Sequence, residues 1–445
     1  MDLSLSPATI LSFLRAFDTA FIRQRCFGPQ QVMLVLMTLR CLGHRSYRQA
    51  IAYLYQQLGP RLGWSTEPAA SSFTEARGKL GSSACRQGFR QIGEQVPCDP
   101  ALAEVRLGGY LLAAVDMTSV VMPGSAAVRR HFGAPTTRTG EAAAAQGRLT
   151  LLWNVSFHRP MDWVLGPYRS SERLQALDLL QHLPSGYVVL GDRGHPSRRF
   201  FVAVRRRGSH FLVRMNSGNR CWKEVAAFLA SGQREAIIQL DFGSPCDDQP
   251  GTSRPVRLLR SELPTGESAV FATSLLDTDA FPATTLITTY TARWRIEIAI
   301  REQKTLYGLE MLSARSISGI YQEVCALMIF QLLSSDLEWR ARQVLPPLPP
   351  PQPTPTPLPA SRTPNPPPPI ATLLTSEIRF NRLMVADSCA RLLFTALAQP
   401  DLLAKTYDEE IKRLWRFKTK ARPGRTFPRI AKNPNSPWRR GKANR

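Results

Sequence analysis

Residues 110–116 read YLLAAVD and residues 187–194 read YVVLGDRG. Each opens as a short apolar run that stops at an aspartate, and runs of this length, rich in β-branched and aromatic side chains, predict buried strands. Two further runs of the same kind, 149–157 and 163–168, lie between them, bounded by Gly, Pro, Asp or Ser. Residues 171–182 and 197–207 instead repeat their apolar positions at helical spacing. Three strands, a helix, a strand and a helix over about 108–213 predict an α/β layer, an arrangement that places ligands at strand ends.

On the C-terminal side, short strand candidates at 236–242, 255–259 and 269–273 stand among Gly, Pro and Ser, so about 214–285 reads as a β-rich insertion. The α/β pattern resumes at Leu286 and runs into a long helix over 289–306 and another over about 322–343. Residues 346–369 hold 14 prolines in 24 positions, which forbids helix and makes 344–370 an extended linker. Residues 371–445 then read as a helical segment, 371–399, followed by a basic tail. On the N-terminal side, 1–105 reads as a helical domain, with Val32, Leu36 and Leu39 and then Ala50, Leu54 and Leu58 recurring at three- and four-residue steps. Gly43-His44-Arg45-Ser46 separates the two stretches, and Ser46 suits an N-cap. Its basic side chains Arg40, Arg45, Arg48 and Arg61 fit either DNA binding or a solvated face of a helical bundle.

The 445 residues carry 57 Lys and Arg against 34 Asp and Glu, a formal charge of +23. Such an excess attracts polyanions, nucleic acid first and a membrane surface second. About half of it lies in residues 411–445, which hold 13 Lys or Arg and no Asp or Glu. With 43% hydrophobic residues, general disorder and fibrous structures are excluded. The eight cysteines are scattered without a CxxC pair or histidines at metal-ligand spacing, which predicts reduced thiols in a cytosol. Residues 1–25 lack the layout of a signal peptide and no run approaches 18 apolar residues, so neither secretion nor membrane spanning is expected.

Three acids stand out by position. Asp116 ends the apolar run LLAAV, Asp192 ends YVVLG, and Glu297 lies inside the helix YTARWRIEIAIREQK. Acids at strand ends, joined by a third from a packed helix, can converge on a hard-oxygen site for Mg2+ or Mn2+. Two such ions can activate an attacking oxygen and stabilise a leaving one in phosphodiester chemistry. Taken singly, an acid after a strand also serves as a turn or helix cap. On the helix, Tyr290, Arg293, Glu297 and Lys304 are offset by 0, 3, 7 and 14 residues and fall within an arc of roughly 60° at about 100° per residue. That face suits a carboxylate that holds metal beside cations that hold a phosphate backbone. It equally suits an exposed helix with ion pairs one turn apart, Arg293 to Glu297 and Glu297 to Arg301.

The string Tyr290-x2-Arg293-x3-Glu297-x6-Lys304 resembles, in identity and spacing, the Tyr-Arg-Glu-Lys signature of the insertion-sequence-four family of bacterial DDE transposases. VVLGDRGHPS at 188–197 resembles that family's second acidic motif and AAVDMTSVVMPGS at 113–125 the first, with Met117 where Gly is frequent and His195 where an aromatic is. The resemblance spans most of 30–340 and the basic tail. It implies an α/β, RNase H-like catalytic domain over 106–343 with Asp116, Asp192 and Glu297 as metal ligands for two Mg2+ ions, Mn2+ substituting. It implies that Tyr290, Arg293 and Lys304 contact DNA phosphates near the scissile bond. It further implies cleavage and strand transfer at terminal inverted repeats, with cut-and-paste movement through a hairpin on the transposon end. Duplex DNA, both transposon ends and target, is the partner, a homodimer is expected in the synaptic complex, and the setting is a bacterial cytoplasm with no membrane. Arg193 either assists beside its ligand or forms a structural ion pair, and Trp294 either stacks on an unpaired base or packs in the core. A catalytically inactive DNA-binding relic or regulator, and a metal nuclease of repair or defence, are the alternative functions.

Overall fold

The computed structural model describes residues 26–41, 46–96, 103, 105–137, 140–218, 221–242, 253–262, 268–344 and 378–420. Residues 345–370 of the expected linker and 421–445 of the basic tail lie outside them, as does Arg45.

The strands follow the apolar runs. They are β1 (Tyr110–Met122), β2 (Ala145–Asn154), β3 (Arg159–Pro167), β4 (Tyr187–Gly191), β5 (His210–Met215), β6 (Glu235–Asp241), β7 (Ser253–Glu262) and β8 (Ser268–Thr273). They form one mixed sheet in the order β3-β2-β1-β4-β5-β8-β7-β6, with the short strand Arg106–Leu107 also paired to β1. β1, β4 and β5 run parallel to their neighbours in this trio, and every other pairing is antiparallel. The region expected as an insertion therefore extends the central sheet: β5, β8, β7 and β6 are its outer half, because each offers a ladder edge that the next one satisfies.

Alternation along the central strands decides what each face buries. Leu112 and Ala114 of β1, with Val188 and Leu190 of β4, belong to one core, while Leu111, Ala113 and Val115, with Tyr187 and Val189, belong to the other. The helices divide accordingly. In chain order they are α1 (Pro29–Cys41), α2 (Tyr47–Leu58), α3 (Ala70–Leu80), α4 (Ser83–Gln95), α5 (Ala126–Phe132), α6 (Glu172–Leu180), α7 (Arg198–Arg206), α8 (Lys223–Ala230), α9 (Ala283–Tyr290), α10 (Trp294–Thr305), α11 (Ile317–Gln343), α12 (Arg382–Ala398) and α13 (Leu403–Arg416). α6, α7 and α8 cover the second face. The first face carries α10 and α11, with α1 to α4, α12 and α13 in the same core.

The helices of the expected N-terminal domain thus share a core with the sheet. In α2 the Ser46 hydroxyl accepts from the Gln49 N–H at 3.3 Å, as the cap pattern predicts, and Ala50, Ile51, Leu54 and Leu58 form the buried stripe. α4 is tied to β3 by charge: Arg86 and Arg90 both donate to the buried carboxylate of Asp162 at 2.7–2.9 Å. The centre of this layer is α11, which is long and apolar enough to cross a bilayer, yet 83% of its most apolar 18-residue stretch is buried inside the protein. Several of its polar residues are partnered there: Arg77 donates to Gln322 at 3.0 Å and Tyr47 to Glu323, and Arg340 pairs with Asp336 at 2.8 Å.

Three boundaries differ from expectation. β1 continues past Asp116 to Met122 because β2 alone pairs with that second half, so Asp116 sits mid-strand. The helix expected over 289–306 begins at Ala283 and is interrupted by a 3-10 turn, Thr291–Arg293, between α9 and α10. The first residues of the expected basic tail belong to α13, whose Tyr407, Ile411 and Leu414 are buried.

Candidate active site

The register brings the first two acids together. Ala114 of β1 lies opposite Leu190 of the parallel strand β4, and Asp116 and Asp192 each stand two residues further on. Parallel neighbours are about 4.8 Å apart, and alternation turns both positions toward the face that holds α10. From the 3-10 turn that precedes α10, Arg293 places Nη2 2.5 Å from Glu297 Oε1 and Nη1 3.9 Å from Asp116 Oδ2. One guanidinium therefore joins two of the three acids, and its charge also acts on Asp192. Its Nε is buried without a hydrogen-bond partner.

The two aspartates are tuned in opposite directions. Burial pushes the Asp116 carboxyl up to about 6, against the Met117 N–H (2.8 Å) and the charge of Arg293. Burial would raise Asp192 too, but hydrogen bonds from His195 and Gly194 and the nearby positive charges outweigh it and bring it down to about 2. The Gly194 N–H donates to Asp192 Oδ1 at 2.8 Å, and a Cβ there would stand a tight 3.1 Å from that oxygen.

His195, which stands where the resembled family often has an aromatic, is fully buried between two carboxylates. Nδ1 lies 2.8 Å from Asp192 Oδ1 and Nε2 3.4 Å from Glu172 Oε1. Glu172 opens α6, and burial raises its carboxyl despite the opposing charge of His195. Nothing in the sequence around Glu172 marks it, because its neighbours at the site come from a loop twenty residues later.

Tyr290 donates to the Gly191 carbonyl at 3.2 Å and packs edge-on against Phe271. With Asp192, Arg193, Arg214, Arg293 and Trp294 it lines a cavity of about 340 Å³. Trp294 is 58% exposed, which corrects the core-packing alternative: the 3-10 turn before it directs the indole out of the apolar stripe of Ile296 and Ala299. Lys304 is not gathered with the others. It shares their angular sector but lies seven residues beyond Glu297, about 10 Å along the axis, and pairs with Glu310 at 3.0 Å. Among the described residues no group of three or more His, Cys, Asp or Glu side chains is close enough together to hold a metal ion; Arg293 stands between the carboxylates instead.

Comparison with known proteins gives three findings. Over 162 residues the chain is 26% identical to InsZ of Escherichia coli (strain K12), a protein named as a transposase, covering 36% of this chain and 52% of InsZ, so it spans about half the length of that relative. A piggyBac transposase in a synaptic complex with hairpin DNA aligns at a TM-score of 0.42 and 9% identity, over 91% of this chain and 85% of that one. The family model described as Transposase DDE domain matches residues 107–333, just over half of the chain and including Asp116, Glu172, Asp192 and Glu297, and the protein belongs to this family of DNA transposases.

Proposed function

We propose that the chain is a transposase of the insertion-sequence-four type, with an RNase H-like core, that cuts DNA at the terminal inverted repeats of its element and joins the freed 3′ end to a target. The observation that supports this most is Arg293, which pairs with Glu297 and Asp116 and acts by its charge on Asp192, beside a cavity lined by Arg193, Arg214 and Tyr290. All three are hard oxygen donors of the kind Mg2+ and Mn2+ take, and Arg293 now stands between them where an ion would have to enter. Asp116, Asp192 and Glu297 would hold the ion, or two ions on the family's pattern. Bound there, an ion would supply activation of an attacking water and stabilisation of the leaving oxygen.

The remaining work falls to the chain itself. Arg293, once it exchanges Glu297 for a phosphate, holds the backbone near the scissile bond, and Tyr290 holds it beside Gly191. His195 fixes the orientation of Asp192. Lys304, released from Glu310, anchors a phosphate further along the strand, and Trp294 offers its face to an unpaired base. On this reading residues 106–343 are the catalytic domain, the helices before it and the basic tail add DNA contacts, and a homodimer forms the synaptic unit in a bacterial cytoplasm.

The test is Mg2+-dependent cleavage of a labelled duplex carrying the element's end, comparing wild type with Glu297→Gln, which keeps shape and removes charge. Cutting by the wild type, with binding but no cutting by the variant, is expected. Equal binding without cutting by either would replace this reading with that of a DNA-binding relic.

A further inference from the structure

The loop 192–197 contributes to two cavities. Asp192 and Arg193 line the one described above, while Pro196 and Ser197 line a second, of about 490 Å³, between the first turns of α6, α7 and α8. Its charged lining is Arg173, Arg198, Arg199 and Lys223 against a single acid, Glu224. Arg173 is tied to the acid-bearing loop, its Nε donating to the Gly194 carbonyl at 2.7 Å. Arg198, Arg199 and Lys223 are exposed, and none has an ion-pair partner among the described residues. Trp222, half-buried and edge-on to Phe201, supplies an apolar wall.

We propose that this groove binds the phosphate backbone of duplex DNA that continues past the acidic site. Four cations from three helices around one concavity repel one another unless a polyanion fills it, and their spread over α6, α7 and α8 fits successive phosphates better than one small anion. Because the same loop walls both cavities, a strand lying over Asp192 is led into the groove. The proposal rests on membership of the DNA transposase family and is independent of the metal reading, so its test is run in EDTA.

The full chain is titrated with a fluorescent mixed-sequence duplex of about 30 base pairs at salt concentrations from about 50 to 200 mM. R198Q/R199Q/K223Q is compared with R106Q/R234Q/R254Q, which removes equal charge from exposed positions outside the groove. Each lost phosphate contact lowers the log–log salt slope by about 0.9. The groove variant is expected to lose about 2.7 from that slope, so its deficit against wild type should differ about 40-fold between the two ends of the salt range. The control is expected to keep the wild-type slope. Equal changes in both variants, an unchanged groove variant, no duplex binding by the wild type, or displacement of DNA by low-millimolar inorganic phosphate would each overturn the proposal. A photo-cross-linker on Arg199→Cys should capture the duplex and one on Arg234→Cys should not; the reverse result refutes it independently of affinity.

Discussion

Asp162→Ala tests how the N-terminal helices are held to the central sheet. The Asp162 side chain is 2% exposed and accepts five hydrogen bonds: from the Trp163 N–H at 2.8 Å, from Nε and Nη2 of Arg86 at 2.9 Å each, and from Nε and Nη2 of Arg90 at 2.9 and 2.7 Å. Removing one partner of a buried charge cluster costs about 3–5 kcal/mol, because the partners left behind remain desolvated. Both arginines are 24% exposed, and Arg86 keeps Asp178 at 2.6 Å, so the lower end applies, about 3 kcal/mol. Native-state hydrogen exchange on the amides of α4 reads this locally, and the opening equilibrium there should rise about 150-fold. Replacing Asp162 by Leu together with Arg86→Met and Arg90→Met should recover most of the loss. A rise below about tenfold, or an apolar triple as unstable as Asp162→Ala, would refute the reasoning.

Three further outcomes are expected. His195→Ala removes the group that bridges Asp192 and Glu172, and on the proposed mechanism Mg2+-dependent cleavage should fall about 10- to 100-fold with duplex binding unchanged; His195→Asn, which can keep one of the two contacts, should recover part of it. Trp294→Ala should leave stability within about 0.5 kcal/mol, because the indole is mostly exposed, and should weaken binding of a duplex with an unpaired base about 5- to 150-fold; a stability loss above 2 kcal/mol would return Trp294 to the core. Burial, followed by the charge of Arg382, lowers His158 to about 4. The unfolded chain binds that proton first, at about pH 6.5. The His158 contribution is therefore complete above about pH 6.5 and is lost as pH falls toward 4, about 3 kcal/mol in all. His158→Gln should flatten urea-derived stability across that window, and an unchanged pH slope would refute the assignment.

What the sequence determined alone is local. Apolar runs ending on Asp116 and Asp192, the Ser46 cap and the spacing from Tyr290 to Glu297 are carried by neighbours within a turn or a strand, so their pattern survives in the linear order. The same spacing grouped Lys304 with Glu297 because an angular sector says nothing about distance along a helix; only the fold shows it paired with Glu310. The length of β1 depended on how far β2 accompanies it, and the 3-10 turn before Trp294 on how α9 and α10 pack against the sheet, so Asp116 moved to mid-strand and Trp294 to the surface. The outer strands became part of the central sheet because hydrogen-bonding edges find partners regardless of sequence distance. Glu172 and His195 meet Asp192 only after β4 and α6 are docked on one layer, and Arg293 reaches Asp116 across 177 positions of sequence. Such contacts are set by burial and strand register, which the order of residues does not contain until the chain is folded.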